Sequence, residues 1–276
     1  MILLYALLVA FLITLCALAH EGGHFIAAKR AGVDVEDFAL GMGKPIKKWK
    51  SKSGTTFTLK MLPVGGSVTP RGMSVEDVEE SGKPKEGSFI YASPWARFKI
   101  TISGIVANIA FAVLIELIII PFYMKPDSWE DFITIPATAF WATLALVGSF
   151  IQMIIQAPLN GFSNVASVAN APFSFGDSVN TAQTEGMPIL LLIAIALITF
   201  NLFMAVFNVL PIYPLDGFYI ATSVIDWGRR GAKGIEAYEP LTEKRLRFLM
   251  LGGYTVVIGL TGYLIIRDLV RLLISS

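Results

Sequence analysis

The stretch ILLYALLVAFLITLCALAHEGGHFIAA, residues 2–28, begins as an apolar run and ends with two histidines that flank a glutamate. About 20 helical residues cross a bilayer, so the run predicts a membrane-spanning helix. It has no basic segment before it and no small-residue cleavage pattern after it, which favours a retained span over a signal peptide. Candidate metal ligands therefore fall within a membrane helix.

The rest of the chain has the same apolar character. Hydrophobic residues make up 54% of its 276 residues and charged residues 16%, which is more apolar than an ordinary soluble domain. Further spans are predicted at 98–123, 188–210 and 248–268. We therefore predict an all-α polytopic membrane protein, with a single domain over 1–276 and about four transmembrane helices. The net charge of +1 gives no reason to expect a nucleic-acid partner.

Basic residues are unevenly distributed between the predicted loops. Residues 29–99 contain thirteen Lys and Arg, residues 124–188 contain one, and residues 226–247 contain six. Because basic loops face the cytoplasm, we expect the first and third loops to be cytoplasmic. Both termini then lie outside, and the histidines lie near the cytoplasmic side.

A further apolar stretch at 136–157 tests this topology, since one more crossing would reverse the third span. Its polar positions and flanking prolines favour a helix that lies on the outer leaflet, and a re-entrant segment is the alternative. With the Asn-, Ser- and Gly-rich stretch that follows, it forms a predicted outer-face amphipathic helix and loop over about 130–187.

The two histidines are spaced for metal binding. Residues four apart lie on one face of a helix, so His20 and His24 can direct nitrogens at one ion with Glu21 beside it. This HExxH arrangement is typical of zinc proteases, in which the glutamate is the general base. These are the only two histidines in the chain. We predict one catalytic Zn²⁺ held by His20 and His24, with Glu21 as the catalytic base.

A third ligand has to come from another residue type. Catalytic zinc usually has three protein ligands, which leaves a carboxylate, Cys16 or a backbone group. Carboxylates in apolar surroundings are functional by default, and this singles out Glu116 and Asp216. At about 1.5 Å per helical residue, His20 lies near the inner end of its span and Glu116 near the outer face. Asp216 follows a span that returns inward, so we predict Asp216 as the ligand and Glu116 as an interfacial or inter-helix polar group.

The sequence around Asp216, FNVLPIYPLDGFY over residues 207–219, contains two prolines and a glycine. These residues break a helix, and irregular backbone at membrane depth is tolerated only inside protein or along a wet cavity. A broken helix that carries a carboxylate at the level of a zinc motif is what a hydrolase inside a membrane needs.

HEGGH at 20–24 combined with NVLPIYPLDG at 208–217 resembles the site-2 protease family of intramembrane zinc metalloproteases. Its members cleave transmembrane segments of other proteins, often membrane-tethered regulators. FNLFMAVFN, residues 200–208, is similar to the family's third core helix. The resemblance implies a transmembrane substrate in the lipid bilayer, a bacterial inner-membrane location, and substrate or transition-state contacts from Asn208 and Pro211.

FALGMGKPIKKWKSKSGTTFTLKMLPVGGSV, residues 38–68, is similar to the bacterial regulator-of-sigma-E protease type, in which a G-x-G segment precedes a membrane-associated β-hairpin. Its β-branched and aromatic residues with a Gly-Gly turn predict a small cytoplasmic hairpin over about 55–70. The resemblance implies substrate support at Gly65 and Gly66, where an edge strand could pair with an unwound substrate. An ordinary cytoplasmic hairpin is the alternative.

SPWARFKITISGIVAN, residues 93–108, resembles the family's second core span, and Arg97, Gly104 and Asn108 match its motif. The resemblance implies substrate binding or transition-state support by Asn108. The chain departs from the family at Ile105, where a proline is expected, and at Phe218, where a second glycine is frequent. The stretch 124–188 is too short for the PDZ domain of many bacterial relatives, so we expect the outer-face region or a separate protein to filter substrates.

Two other functions are compatible with the residues alone. A membrane zinc protease that acts on extramembrane peptides would be expected to take a third-ligand Glu from a helix facing the solvent. A metal transporter or scaffold would place several polar residues along two or more spans, and it would leave Glu21 without a task. No oligomeric state is predicted.

Overall fold

The computed structural model describes residues 2–73, 87–89, 92–124, 188–233 and 247–256, with single positions between 128 and 152 and between 258 and 266. The elements are α1 (Ile2–Arg30), β1 (Val35–Lys50), β2 (Thr56–Pro70), α2 (Pro94–Met124), α3 (Ile189–Phe207) and α4 (Asp216–Lys233). Two compact units are present, Met1–Ala110 with Phe207–Leu249 and Phe111–Val206 with Met250–Ser276.

Three helices in the described part of the chain are long and apolar enough to cross a membrane: Leu8–Arg30, Pro94–Ile119 and Ile189–Phe207. They coincide with the first three predicted spans, and the chain is a mostly helical membrane protein. The fourth predicted span, 248–268, is helical over 247–256 and otherwise lies largely outside the described residues. The outer-face region at 130–187 also lies almost wholly outside them.

The helix α4 was not predicted, because residues from Asp226 onward were expected to form a loop. The structure instead continues a helix from Asp216 to Lys233. Its apolar residues at 220, 224 and 227 recur every three or four positions and so share one face, on which Val224 and Trp227 are exposed. An amphipathic helix of this kind has no continuous apolar run, so a search for spans passes over it.

The strands β1 and β2 pair antiparallel in one sheet. The first part of β1 pairs with the end of β2, with Leu40 opposite Gly66, and the last part of β1 pairs with the start of β2, with Trp49 opposite Phe57. Residues 37–40 of β1 also pair on their other side with residues 56–59 of β2. Gly41, between the two parts of β1, has a φ of 86°, a value that glycine adopts without strain. The end of β2 therefore lies on the far side of the sheet from the hairpin turn.

This sheet is larger than the predicted hairpin at 55–70. That stretch is one strand, β2, and its partner lies upstream in β1. The connection between them contains a hydrogen bond from Ser51 N–H to the Thr55 carbonyl, 2.8 Å long. Gly65 and Gly66, predicted as a turn, lie inside β2, because the turn residues at 51–55 already reverse the chain.

The first unit holds the sheet against α1 through apolar and aromatic contacts. Its buried cluster comprises Ala28, Val33, Val35, Phe89 and Ile100. Next to this cluster, Phe25 of α1 meets Phe38 of β1 edge to face, with 5.5 Å between ring centroids. Burial of such rings stabilises the sheet in this position.

The second unit contains α3 and the later part of α2. Alanines at 194, 196 and 205 are among the buried residues of α3. Asn201 is fully buried, and its Nδ2 donates to the carbonyl of Leu197 at 2.8 Å. Glu116 of α2 is 9% exposed. Both polar side chains thus occupy buried positions on apolar helices.

In the first unit, α1 and α2 approach closely at Gly23. A Cβ atom built there would overlap the carbonyl oxygen of Ser103 and lie 2.7 Å from the Cβ of Ala107. The adjacent Gly22 has nothing within 4 Å of such an atom. The two glycines of HEGGH therefore differ: only Gly23 is required by the packing of α1 on α2.

We predict that Gly23→Ala lowers the free energy of unfolding by about 1–3 kcal/mol, because the added methyl overpacks the α1–α2 interface. Gly22→Ala is the matched control, and alanine is favoured over glycine in a helix by up to about 1 kcal/mol. Denaturant titration of the purified protein in detergent measures both values. Equal effects of the two substitutions would contradict this packing.

Candidate metal centre

Three metal-ligating side chains of the first unit converge: His20, His24 and Asp216. The Nε2 atoms of the two histidines are 3.2 Å apart. Oδ2 of Asp216 lies 3.1 Å from Nε2 of His20 and 3.2 Å from Nε2 of His24. The three atoms thus form a nearly equilateral triangle, and the side chains that carry them are largely buried.

The proton positions at this triangle favour a cation. Nδ1 of His24 lies 2.7 Å from the carbonyl oxygen of Ile100, which can only accept, so Nδ1 carries the proton. Nε2 of a neutral His24 then presents a lone pair to the carboxylate of Asp216, which is also an acceptor. Two acceptors at hydrogen-bond distance repel each other unless a proton or a metal ion lies between them, so the arrangement is compatible with a bound metal ion.

The donor set also fits zinc in composition and spacing. Two imidazoles with one carboxylate is a ligand set of catalytic zinc sites, which leave the fourth position open. Ligand atoms about 2.0–2.2 Å from a tetrahedral zinc are about 3.3–3.6 Å apart, and the observed separations of 3.1–3.2 Å are close to the lower end of that range. The residues present therefore fit one zinc ion.

Residues of α2 contact the rings of both histidines. Ile100, Gly104 and Asn108 are spaced four apart and so lie on one face of α2. Ile100 contacts His24, and Nδ2 of Asn108 lies 3.2 Å from Nδ1 of His20. Between them, a Cβ at Gly104 would overlap Nε2 of His24 and lie 2.7 Å from Cε1 of His20. Only glycine at 104 allows α2 to reach both rings.

Asp216 comes directly after the non-helical segment between α3 and α4. Residues 208–215 form turns and bends rather than a helix, and α4 begins at Asp216, so its carboxylate lies at a helix N-terminus where negative charge is stabilised. Gly217 N–H donates to the carbonyl of Asn208 at 2.7 Å. A Cβ at Gly217 would overlap the carbonyl oxygens of Val209 and Leu210. This tight return of the chain fixes Asp216.

A buried ion pair fixes α4 further along. Arg97 of α2 is 2% exposed and pairs through its guanidinium with Asp226 of α4. Breaking a buried pair leaves an uncompensated charge, which is strongly unfavourable. The sequence motif therefore combines three different contacts. Arg97 pairs with α4, Gly104 leaves room for the histidine rings, and Asn108 contacts His20.

Glu21 lies beside the cluster and against the sheet. Its carboxylate lies near the backbone N–H of Val68 and close enough to both histidines and Asp216 to interact with their charges. A Cβ at Gly66 would lie 3.1 Å from Cγ of Glu21. The end of β2 therefore forms one wall of the space around Glu21.

The remaining predicted site residues fall in several places. Asn208 follows α3 directly, and Pro211 is an exposed residue of the break. Gly65 lies in β2 with a φ of 76° and open space around it. Glu116 and Cys16 are buried but are not in the metal-ligating cluster found among the described residues. The contacts proposed for Asn208, Pro211 and Gly65 stay predictions.

Sequence reasoning missed two supporting groups, the carbonyl of Ile100 and the N–H of Val68. Both belong to the backbone, and any residue type can supply them. No sequence pattern therefore marks these positions. The glycines at 104 and 217 carried a signal in their motifs, but their steric reason depends on which elements meet.

An HExxH helix that meets a distant carboxylate within an apolar helical protein defines the class of membrane metalloproteases. Comparison with known families places the chain within that class. The model of Peptidase family M50 matches residues 7–255, and the chain belongs to this family. The resemblance to site-2 proteases is thereby confirmed.

Individual relatives agree with the family. A "Putative zinc metalloprotease" of Helicobacter pylori is 40% identical over 117 residues, 42% of this chain and 32% of the relative. A protein of the same name from Vibrio cholerae is 38% identical over 107 residues, 38% of this chain and 23% of the relative. "Probable protease eep" of Enterococcus faecalis is 52% identical over 63 residues, 23% and 15% of the two chains. The match spans about a third or less of these curated relatives. The matching family is a peptidase family, and two of these relatives carry the name of a zinc metalloprotease.

We predict that Gly217→Ala lowers the zinc content of the purified protein, because a methyl group there displaces Asp216 from the histidines. Gly228→Ala is the matched control, since Gly228 also lies in α4 and has nothing within 4 Å of a built Cβ. Metal analysis after equilibration with limiting zinc measures both. Wild-type zinc content in Gly217→Ala would show that Asp216 does not depend on this turn.

Proposed function

We propose that the chain is a zinc-dependent intramembrane endopeptidase that cleaves transmembrane segments of membrane-tethered regulatory proteins. The triangle of ligand atoms formed by His20, His24 and Asp216 carries this proposal. Two of its members lie on a helix that is apolar enough to cross a membrane. The reaction would therefore take place at the edge of the bilayer rather than in bulk solvent.

His20, His24 and Asp216 would hold one catalytic zinc ion. Zinc bound there would supply Lewis acidity to a water molecule and to the scissile carbonyl. Cys16, the alternative ligand, lies one turn before His20 and outside the cluster of ligating atoms in the described chain. Asp216 is thus the best-supported third ligand.

Glu21 is the proposed general base. Its position beside the ligand cluster allows it to take a proton from water and return it to the leaving amine. The backbone N–H of Val68 lies near this carboxylate and is proposed to orient it. A transporter or scaffold has no need for a carboxylate held in this way, and this favours hydrolysis.

The end of β2 is the proposed support for the substrate. A helical substrate hides its peptide carbonyls in backbone hydrogen bonds, so it must be extended before water attacks. Residues 66–70 pair with β1 on one side, and their other side faces Glu21 through Val68 and Gly66. An unwound substrate could add as a further strand along this edge. Asn208 is proposed to hydrogen-bond the substrate backbone or the developing oxyanion.

The location of the site is proposed from charge. The sheet carries Lys residues at 44, 47, 48, 50, 52 and 60 in β1, β2 and their connection, and basic segments face the cytoplasm. We propose a multi-pass protein of the bacterial inner membrane, with both termini outside and the active site near the cytoplasmic side. Water would reach Glu21 from that side.

Glu21→Gln is expected to lower the rate of cleavage by about 10²–10⁴-fold, the usual contribution of a general base, while zinc content stays at the wild-type level. Cleavage is measured in proteoliposomes that contain the purified protein together with a synthetic single-pass transmembrane peptide as substrate. Glu36→Gln is the control, because this exposed side chain pairs with Arg71 away from the cluster. Unchanged cleavage by Glu21→Gln would overturn the mechanism. Faster cleavage of the same peptide in solution would favour an extramembrane protease.

Asp216→Asn is expected to weaken zinc binding by more than the roughly 10–100-fold that loss of an outer-shell partner costs. Glu116→Gln is the matched control, since it neutralises the other carboxylate that the sequence singled out. The zinc dissociation constant, measured by competition with a chelating dye, decides between them. The reverse order of effects would make Glu116 the ligand.

A further inference from the structure

Asn108 lies behind His20, on the side of the ring opposite the ligand cluster. Its side chain is fully buried, and its Nδ2 lies 3.2 Å from Nδ1 of His20. Oδ1 of the same carboxamide is buried without a hydrogen-bond partner. A fully buried side chain has no surface with which to meet a substrate, so the geometry disfavours the substrate-support role expected from the sequence.

The two ring nitrogens of His20 have linked roles. Nε2 faces Asp216 and His24, so it is the atom that would bind a metal ion. A neutral imidazole that offers a lone pair at Nε2 carries its proton at Nδ1. The group facing Nδ1 must then be an acceptor, yet the amide nitrogen of Asn108 occupies that place.

Rotation of the carboxamide resolves this conflict. The oxygen and nitrogen of an asparagine amide exchange places on a half-turn about the terminal bond and fill nearly the same volume. Oδ1 of Asn108, which has no partner in the observed orientation, would then accept the Nδ1 proton of His20. With Nδ2 toward the ring, His20 instead carries its proton at Nε2, which suits a hydrogen bond to Asp216 without a metal.

We propose that Asn108 is a positioning residue that fixes the metal-binding tautomer and ring orientation of His20 through its carboxamide oxygen. This inference rests on the proposed zinc site. His24 provides a parallel within the same site, because its Nδ1 is held by the carbonyl of Ile100 at 2.7 Å. Hydrogen-bond acceptors behind metal-binding histidines orient the ring and raise its basicity. One face of α2 would thus supply one acceptor to each histidine.

Two substitutions separate this role from packing. Asn108→Leu keeps the approximate volume and removes the acceptor, whereas Asn108→Asp keeps an acceptor and introduces a charge. A packing role predicts that Leu is tolerated and that Asp is damaging, since an apolar interior disfavours charge. A positioning role predicts the opposite order for zinc binding. Asn201→Leu is the matched control, because Asn201 is also fully buried on an apolar helix but contacts a backbone carbonyl of its own helix.

The experiment measures the zinc dissociation constant of the full chain in detergent by competition with a chelating dye, and the thermal stability of the zinc-free protein. We expect Asn108→Leu to weaken zinc binding about 10–100-fold, while Asn108→Asp and Asn201→Leu bind zinc as wild type does. Wild-type affinity in Asn108→Leu, or an equal loss in Asn108→Asp, would overturn the proposal. If Asn108→Leu does not fold, Asn108→Ala provides the same comparison with Asn108→Asp.

Asp216→Asn separates this proposal from the proposed function. If Asp216→Asn loses zinc while Asn108→Leu retains it, the metal site stands and the role of Asn108 is wrong. If wild type and Asp216→Asn bind zinc equally, the proposed site itself fails.

Discussion

The site depends on one steric constraint, the close approach of α1 and α2. Gly23 on α1 and Gly104 on α2 are the two positions where a single methyl group would collide with the other helix or its histidines. Interiors are packed too densely to absorb such an insertion. The constraint brings the two imidazole rings into contact with Ile100 and Asn108 of α2. These contacts fix the orientation of rings that would rotate freely on an isolated helix.

The position of Asp216 depends on a hydrogen bond and an ion pair rather than on close helix packing. Asp216 stands at the start of α4, and its position follows from the hydrogen bond of Gly217 to Asn208 and from the ion pair between Arg97 and Asp226. The first contact sets the direction in which α4 begins, and the second holds the helix about ten residues later against α2. One helix, α2, thus supports both the histidines and the element that carries the carboxylate.

The sequence predicted what depends on spacing and on long runs of one residue class. The pair His20 and His24, the three apolar spans and Asp216 follow from periodicity, hydropathy and depth, which are properties of the chain alone. The helix α4 was missed because its apolar residues lie on one face and form no continuous run in the sequence. The turn was predicted at Gly65 and Gly66 rather than at 51–55, because a Gly-Gly pair is typical of turns and its sequence does not reveal that it lies within a strand. The proposed positioning role of Asn108 could not be predicted either, since it depends on which helix face meets His20.

The distance between the ligands along the chain has a consequence for how such an enzyme is made. Chains are synthesised at about 5–20 residues per second, so roughly 10–40 s separate the appearance of His24 from that of Asp216. During that interval the nascent chain carries a base and two imidazoles but no complete ligand set. With this arrangement, the proposed protease would have no complete metal site until both distant segments of the chain have been synthesised and have come together.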